Sequence, residues 1–127
     1  TLTGAQIVAL GARTAGVMGS ELFRDRLAEI GREVGENAWA MPLLEEHDEE
    51  LKSQAADIRN IHVKREGGME FAGTYLSQFV GEGIEWAHID IAGPSWNGSA
   101  PRGYTPKRAT GVPVRTVVAV LREIAES

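Results

Sequence analysis

The feature of the sequence that most constrains the fold is a short apolar run at residues 84–92, which stops at Gly93 and Pro94. Its length and composition predict a buried β-strand. The run contains His88 and Asp90, which lie two positions apart and therefore project from the same face of a strand. Because a buried polar group without a partner is costly, we expect both side chains to bond to the backbone or to neighbouring side chains in a structural role.

Strand-like and helix-like segments alternate along the rest of the chain. A second apolar run, residues 6–10, predicts a strand that is covered on both faces and ends at Gly11. Apolar residues at helical spacing predict helices from Ser20 to Gly35, over residues 43–53 and 69–80, and from Pro113 onward. The alternation predicts an α/β fold with helices on the faces of a sheet, although two or three strands are too few to complete such a sheet.

Three segments are predicted to lie outside the helices. Residues 55–63 have an extended pattern, and residues 64–68 form a loop. Residues 93–110 are rich in proline and glycine and have almost no apolar periodicity. A loop of this length within a compact domain is usually functional or disordered.

The composition narrows the possible classes of function. The 127-residue chain has a formal net charge of −5, a pI near 5.2 and no cysteine. Because its lysines and arginines are scattered, a nucleic-acid partner gains no support. The lack of cysteine excludes a disulfide framework and thiol catalysis. No apolar run approaches the ~18 residues of a membrane span, so we expect a cytoplasmic protein without a membrane partner.

Two polar segments allow a binding-site interpretation. Residues 45–50 place five carboxylates around His47, but consecutive residues on a helix point in all directions, so a solvated acidic face is expected. The three histidines, at positions 47, 62 and 88, do not have the spacing of metal ligands, and no metal site is predicted. Gly67 and Gly68 precede a helix without a phosphate-binding fingerprint and are interpreted as a loop.

Thr1 allows a different enzymatic interpretation. A threonine at a free N-terminus can act as a nucleophile with its own α-amine as the base. Enzymes of that type are built on two stacked antiparallel sheets, and this sequence supplies far too few strands. The N-terminal-threonine nucleophile hydrolase is therefore retained only as an alternative function.

Five segments taken together resemble the leucyl aminopeptidase family of dinuclear metallopeptidases, also called the cytosol aminopeptidase family. They are TLTGAQIVALG at 1–11, AADIRN at 55–60, GG at 67–68, WAHIDIAGPSWN at 86–97 and ATGVPVRTVVAVL at 109–121. The resemblance implies that residues 1–127 are the C-terminal portion of the family's catalytic domain. That portion is part of a mixed β-sheet sandwiched by helices and is incomplete without the upstream part, which would bury Ile7, Val8 and Leu10.

The same resemblance implies a function. Members release N-terminal amino acids such as leucine from peptides, through a water activated by two divalent metal ions, and they form homo-hexamers. The ions, Mn, Zn or Mg, and the catalytic residues would belong to the upstream portion. No catalytic residue and no metal ligand is therefore assigned to this chain, which we expect to be inactive alone.

The resemblance also implies which residues line the substrate cleft. Substrate contacts are assigned to Thr1, Leu2, Gly4, Ala92 and Ser95, and structural support to His88 and Asp90. The Leu2 carbonyl is the expected hydrogen-bond acceptor, and Ala92 the expected wall of the pocket for the N-terminal side chain. Ser95 stands where some members have methionine, which argues against a tight preference for leucine. A non-catalytic assembly module on the same fold is the second alternative.

Overall fold

The computed structural model describes residues 1–127. Its five helices are α1 Gly4–Leu10, α2 Glu21–Glu33, α3 Glu46–Glu50, α4 Gly68–Ser77 and α5 Val114–Glu126. Its five strands are β1 Ala15–Gly19, β2 Ala38–Ala40, β3 Ala87–Asp90, β4 Trp96–Asn97 and β5 Arg108–Ala109.

Three strands form the central sheet, in the order β2-β1-β3. β1 pairs in parallel with β2, with Ala15 opposite Ala38, and antiparallel with β3, with Met18 opposite His88. A small antiparallel pair, β4 and β5, lies within the predicted 93–110 loop. The α/β class and the mixed sheet are therefore confirmed.

Successive side chains of β1 point to opposite faces of the sheet. Because both faces carry buried residues, helices cover both of them. Val17 faces a core that includes Leu27 of α2 and Val120 of α5. On the other face, Gly16 lies against Met69 of α4, and a Cβ at Gly16 would come within 2.3 Å of the methionine sulfur. The glycine therefore lets α4 approach the centre of the sheet.

The strand predicted at residues 6–10 is wrong, because these residues belong to helix α1. Thr3 has an extended backbone, and its hydroxyl accepts a hydrogen bond from the Gln6 amide at 3.3 Å, which caps the helix. Gly11, with φ +82°, ends the helix where the strand was expected to end. A short apolar run does not by itself distinguish a strand from a helix, and here the N-cap decides.

The sequence pattern does not predict β1, although β1 is the central strand. Its sequence, AGVMG, contains two glycines, which are depleted in strands. At Gly19, φ is +135° and a Cβ would lie 2.3 Å from the carbonyl oxygen of Trp86. Gly19 therefore permits the segment at Trp86 to approach the end of β1 closely. The packing of β1 thus outweighs the low strand propensity of its glycines.

The other predicted helices are present, some of them shorter than expected. The helices α2 and α5 lie where they were predicted, and α4 covers most of the predicted 69–80 segment. The helix expected at 43–53 is limited to α3, and residues 55–63 form bends rather than an extended segment.

The start of α2 is joined to the segment before β3. Ser20 precedes α2 as predicted, but its side chain does not cap the helix. Instead, its hydroxyl accepts a hydrogen bond from the Trp86 amide at 3.0 Å, and its own amide donates to the Trp86 carbonyl at 2.9 Å. The strand expected at 84–92 is correspondingly shortened to β3.

The helices α1 and α5 each expose more than one large apolar side chain. Val8 of α1 is 89% exposed, Ile7 is also exposed, and α5 exposes Leu121 and Ile124. Ile7 and Val8 are exposed and Leu10 is half-buried in residues 1–127, and the burial of these three residues by the upstream portion stays a prediction. None of the helices combines the length and the apolar character that crossing a membrane requires.

Candidate functional site

The first residues of the chain are attached to the end of β3. The Thr1 amino group donates to the Ile89 carbonyl at 3.0 Å, and the Ile91 amide donates to the Thr1 carbonyl at 2.9 Å. Thr1 therefore pairs with the end of β3 through main-chain hydrogen bonds, although Thr1 is not part of the three-stranded sheet. This pairing brings residues 1–4 next to the turn that follows β3.

Asp90 connects these two segments through its carboxylate. The residue is fully buried, and its Oδ1 accepts hydrogen bonds from the amides of Thr3 at 3.1 Å and Ala92 at 3.2 Å. Its Oδ2 accepts a hydrogen bond from the Thr3 hydroxyl. Since charge-assisted hydrogen bonds are the strong ones, Asp90 fixes both Thr3 and Ala92.

His88, two residues earlier, is an uncharged partner of Thr1. Burial lowers the pKa of His88 from 6.5 to about 4, and the charge of Asp90 opposes this shift. The His88 Nε2 lies 2.6 Å from the Thr1 hydroxyl, which can donate to the uncharged ring. The His88 Nδ1 has no hydrogen-bond partner within the chain.

Asp90, His88 and Thr1 do not form an aspartate–histidine–threonine relay. Asp90 is occupied by Thr3 and Ala92, and it makes no hydrogen bond to the ring of His88. The α-amine of Thr1, the proposed base of the alternative function, donates to the Ile89 carbonyl. The hydrogen bonds of His88 and Asp90 therefore attach residues 1–3 to the end of β3, and we call this group of residues the joint.

Gln6 completes this joint and is a residue that sequence reasoning missed. Its side chain is fully buried, and its Oε1 accepts a hydrogen bond from the Gly93 amide at 2.6 Å. Its Nε2 donates to the carbonyls of Gly11 at 3.1 Å and Thr14 at 2.5 Å. A single amide side chain within the apolar run 6–10 was the signal for this role, because a buried amide needs partners.

The predicted substrate contacts lie around this joint. Thr1, Leu2 and Gly4 are exposed, whereas Ala92 and Ser95 are half-buried. The Ser95 amide donates to the Ile91 carbonyl at 3.0 Å, which holds the turn after β3. The structure thus brings residues 1–4 and 92–95 together, and their contact with substrate stays a prediction.

Asp90 and His88 do not gather with a third potential ligand into a metal-binding group. Both oxygens of the Asp90 carboxylate accept hydrogen bonds from Thr3, and one also accepts from Ala92. His88 is engaged with Thr1 through one ring nitrogen. No step of the chemistry can therefore be assigned to a metal held by these residues.

Solved structures share this arrangement of elements. The bottromycin maturation enzyme BotP superposes with a TM-score of 0.91 at 34% identity, over 99% of this chain and 28% of that protein. A mutant of tomato leucine aminopeptidase superposes with a TM-score of 0.83 at 38% identity, over 95% of this chain and 23% of that protein. The fold is therefore that of the leucine aminopeptidase class.

The sequence comparison identifies the family. The profile of the cytosol aminopeptidase family, catalytic domain, matches residues 1–118. Probable cytosol aminopeptidases of Corynebacterium efficiens and Corynebacterium diphtheriae are 66% and 68% identical to this chain over 126 residues. The chain belongs to the cytosol aminopeptidase family, which confirms the resemblance. It covers 25% of the length of each of these two relatives.

Proposed function

We propose that this chain forms one wall of the substrate cleft of a metalloaminopeptidase that releases leucine-like N-terminal amino acids from peptides. The proposal rests on the observation that the main-chain carbonyl of Leu2 is free to accept a hydrogen bond from a substrate. This carbonyl accepts no hydrogen bond within the chain, and Leu2 is exposed between the fixed residues Thr1 and Thr3. An acceptor held on a rigid segment is suited to binding a peptide N–H group.

The pocket for the substrate's N-terminal side chain is proposed to include Ala92 and Ser95. Both are small and half-buried, and both follow β3 in the turn held by Asp90. Small side chains leave space for an apolar substrate group, whereas a larger residue in the same place would fill it. Family membership supports peptides as the substrate class.

The ions of the proposed reaction are expected to bind outside residues 1–127. Two divalent ions, Mn, Zn or Mg, would polarise the scissile carbonyl and activate a water. The solved complex of BotP with Mn supports the use of a divalent ion. The residues of this chain would bind and orient the peptide.

The cellular setting is part of the same proposal. We expect a cytoplasmic protein, supported by the name of the cytosol aminopeptidase relatives. We also expect a homo-hexamer in which the upstream portion of the domain covers exposed apolar side chains. Those of α1 and α5 are consistent with such contacts.

A chimera tests the proposal. Residues 1–127 replace the matching quarter of the Corynebacterium efficiens relative, to which they are 66% identical. The chimera should hydrolyse a leucyl chromogenic amide, lose activity with a chelator and recover it with Mn²⁺. The 127-residue chain alone should be inactive. A folded chimera without activity, beside an active intact relative, would contradict the proposal.

Variants of the chimera test the pocket. Ala92→Val should lower kcat/KM for the leucyl amide about 10-fold or more while affecting an alanyl amide less, because added methyl groups compete with the larger side chain. Ala100→Val is the matched control, since Ala100 is exposed in the loop beyond β4. Equal loss with both substrates would assign Ala92 to folding rather than to the pocket.

The threonine alternative has one observation in its favour, the 2.6 Å contact between the Thr1 hydroxyl and His88. It predicts an activity that resists chelators and disappears in Thr1→Ala. The assembly-module alternative instead predicts a hexamer without peptidase activity. The isolated chain, in which Thr1 has a free α-amine, tests the threonine alternative, because Thr1 is an internal residue of the chimera. The chimera separates the proposed function from the assembly module, because only the proposed function gives a chelator-sensitive peptidase activity.

A further inference from the structure

The tertiary structure gathers His47, Glu50 and His62 into one cluster away from the candidate substrate site. One potential ligand atom of each residue lies within 4.8 Å of those of the other two. His47 and Glu50 lie on α3, and His62 lies in the irregular segment between α3 and α4. The neighbouring acidic residues 45, 46, 48 and 49 are exposed as predicted, but His47 is not.

The imidazole rings of His47 and His62 both have a buried nitrogen without a hydrogen-bond partner in the chain. His47 is only 3% exposed, and neither of its ring nitrogens makes a hydrogen bond within the chain. His62 contacts Glu50 through Nε2, whereas its buried Nδ1 has no partner. Buried polar atoms are normally paired, so these unpaired nitrogens call for a ligand.

Aromatic packing holds the cluster in place. Phe71 of α4 stacks on His62 with ring centroids 4.5 Å apart and an interplanar angle of 12°, and it meets His47 edge-on at 6.1 Å. Gly67 has φ +65°, and a Cβ there would lie 2.9 Å from the His47 Nε2. Packing contacts within the chain therefore set the positions of the His47 and His62 rings, and these contacts do not need a bound ion.

The donor set selects the chemical class of the ligand. Two imidazoles and a carboxylate suit Zn²⁺ and similar first-row transition metals, whereas Mg²⁺ and Ca²⁺ prefer sites made of oxygen ligands. The cluster borders a surface cavity lined also by Leu44 and Lys64, so a water can complete the coordination. The ammonium of Lys64, 2.8 Å from Glu50 Oε1, competes with a cation for the carboxylate.

We propose that His47, Glu50 and His62 bind one Zn²⁺ ion, which fastens the segment between α3 and α4 to α3. This ion is separate from the ions of the proposed peptidase reaction, since its ligands lie in residues 47–62 of this chain. Its role is structural. The proposal does not depend on whether the chain has peptidase activity.

Titration calorimetry with Zn²⁺ and absorption spectroscopy with Co²⁺ test the site. The variants are Glu50→Gln, which keeps a hydrogen-bond acceptor for Lys64, and His62→Phe, which keeps an aromatic ring against Phe71. Asp48→Asn is the matched control, since it removes an exposed carboxylate of the same helix. The measured quantity is the difference in Zn²⁺ binding between the unaltered chain and each variant. The same difference can be measured when the chain is joined to polypeptide that binds metals of its own.

Each ligand variant should bind Zn²⁺ at least about 100-fold more weakly than the unaltered chain, since losing even an outer-shell partner of a ligand costs about 10–100-fold, and Asp48→Asn should bind it unchanged. Bound Co²⁺ should show the visible bands of a low-symmetry site with nitrogen ligands. Unchanged Zn²⁺ binding in folded His62→Phe and Glu50→Gln, or no Zn²⁺ binding by the unaltered chain, would overturn the proposal.

Lys64→Met gives a test of opposite sign. Removing the ammonium frees the Glu50 carboxylate, so Zn²⁺ affinity should rise about 10-fold. General destabilisation of the segment would lower the affinity instead. A decrease in a folded Lys64→Met variant would therefore refute the role assigned to Glu50.

Discussion

Replacing Asp90 with asparagine tests whether one buried carboxylate holds the candidate site together. Asp90 accepts hydrogen bonds from the Thr3 amide, the Thr3 hydroxyl and the Ala92 amide. Asparagine keeps the shape and one acceptor oxygen, so the two amides retain a partner, although a neutral one. Its NH₂ group faces the Thr3 hydroxyl, which loses its acceptor.

The magnitude follows from these three bonds. A hydrogen bond to a charged group contributes about 1.5–3 kcal/mol to stability, compared with about 1 kcal/mol for a neutral one. Losing the charge from two bonds and the acceptor from the third predicts that Asp90→Asn lowers the free energy of unfolding by about 2–4 kcal/mol. Asp90→Ala leaves three donors unpaired and should cost about 5 kcal/mol, comparable to the stability of a small domain.

Urea unfolding followed by circular dichroism measures the global effect, and amide hydrogen exchange measures the local one. The amides of Thr3 and Ala92 should exchange faster in Asp90→Asn, by more than the global change explains. Asp57→Asn is the control, because Asp57 is exposed and its side chain makes no hydrogen bond. A loss below about 0.5 kcal/mol, or unchanged exchange at Thr3 and Ala92, would refute the reasoning.

Three further predictions concern the pH dependence and the packing of the fold. The pKa of His88 falls from 6.5 to about 4 on folding, so the unfolded chain binds more protons between these values. The contribution of His88 to stability should therefore be complete above pH 6.5 and decline as the pH falls to about 4, and urea unfolding at several pH values should show a smaller slope of stability against pH in His88→Gln. The Glu36 carboxylate accepts hydrogen bonds from the Thr116 amide and hydroxyl, each at 2.7 Å, at the start of α5. Urea unfolding should show a loss of about 2–4 kcal/mol for Glu36→Ala and a smaller loss for Thr116→Val, and equal losses would contradict the two-bond account. Gly19→Ala should lower the free energy of unfolding by at least about 2 kcal/mol, because φ is +135° and the new Cβ would lie 2.3 Å from a backbone oxygen. Gly83→Ala, where φ is +73° but no atom lies within 4 Å, should cost less in the same assay.

The candidate site was only partly predictable from the sequence. The two-residue spacing of His88 and Asp90 places both on one face of β3, and the structure pairs them there with residues 1–3. The spacing alone does not identify Thr3 as a partner, because Thr3 and Asp90 are far apart in the chain. The bond of Gln6 to Gly93 was missed for the same reason, whereas its bonds to Gly11 and Thr14 were missed because residues 6–10 were predicted to form a strand.

The helices α2 and α5 are determined by the sequence itself, because the apolar spacing that predicts them acts within a few positions of the chain. Family membership is likewise determined by residues read in order. Only the tertiary structure decided that AGVMG is the central strand, because its two glycines permit close packing against Met69 and Trp86 that no local pattern encodes. The meeting of His47 with His62 was also decided there, since contacts between distant segments depend on how the whole chain packs.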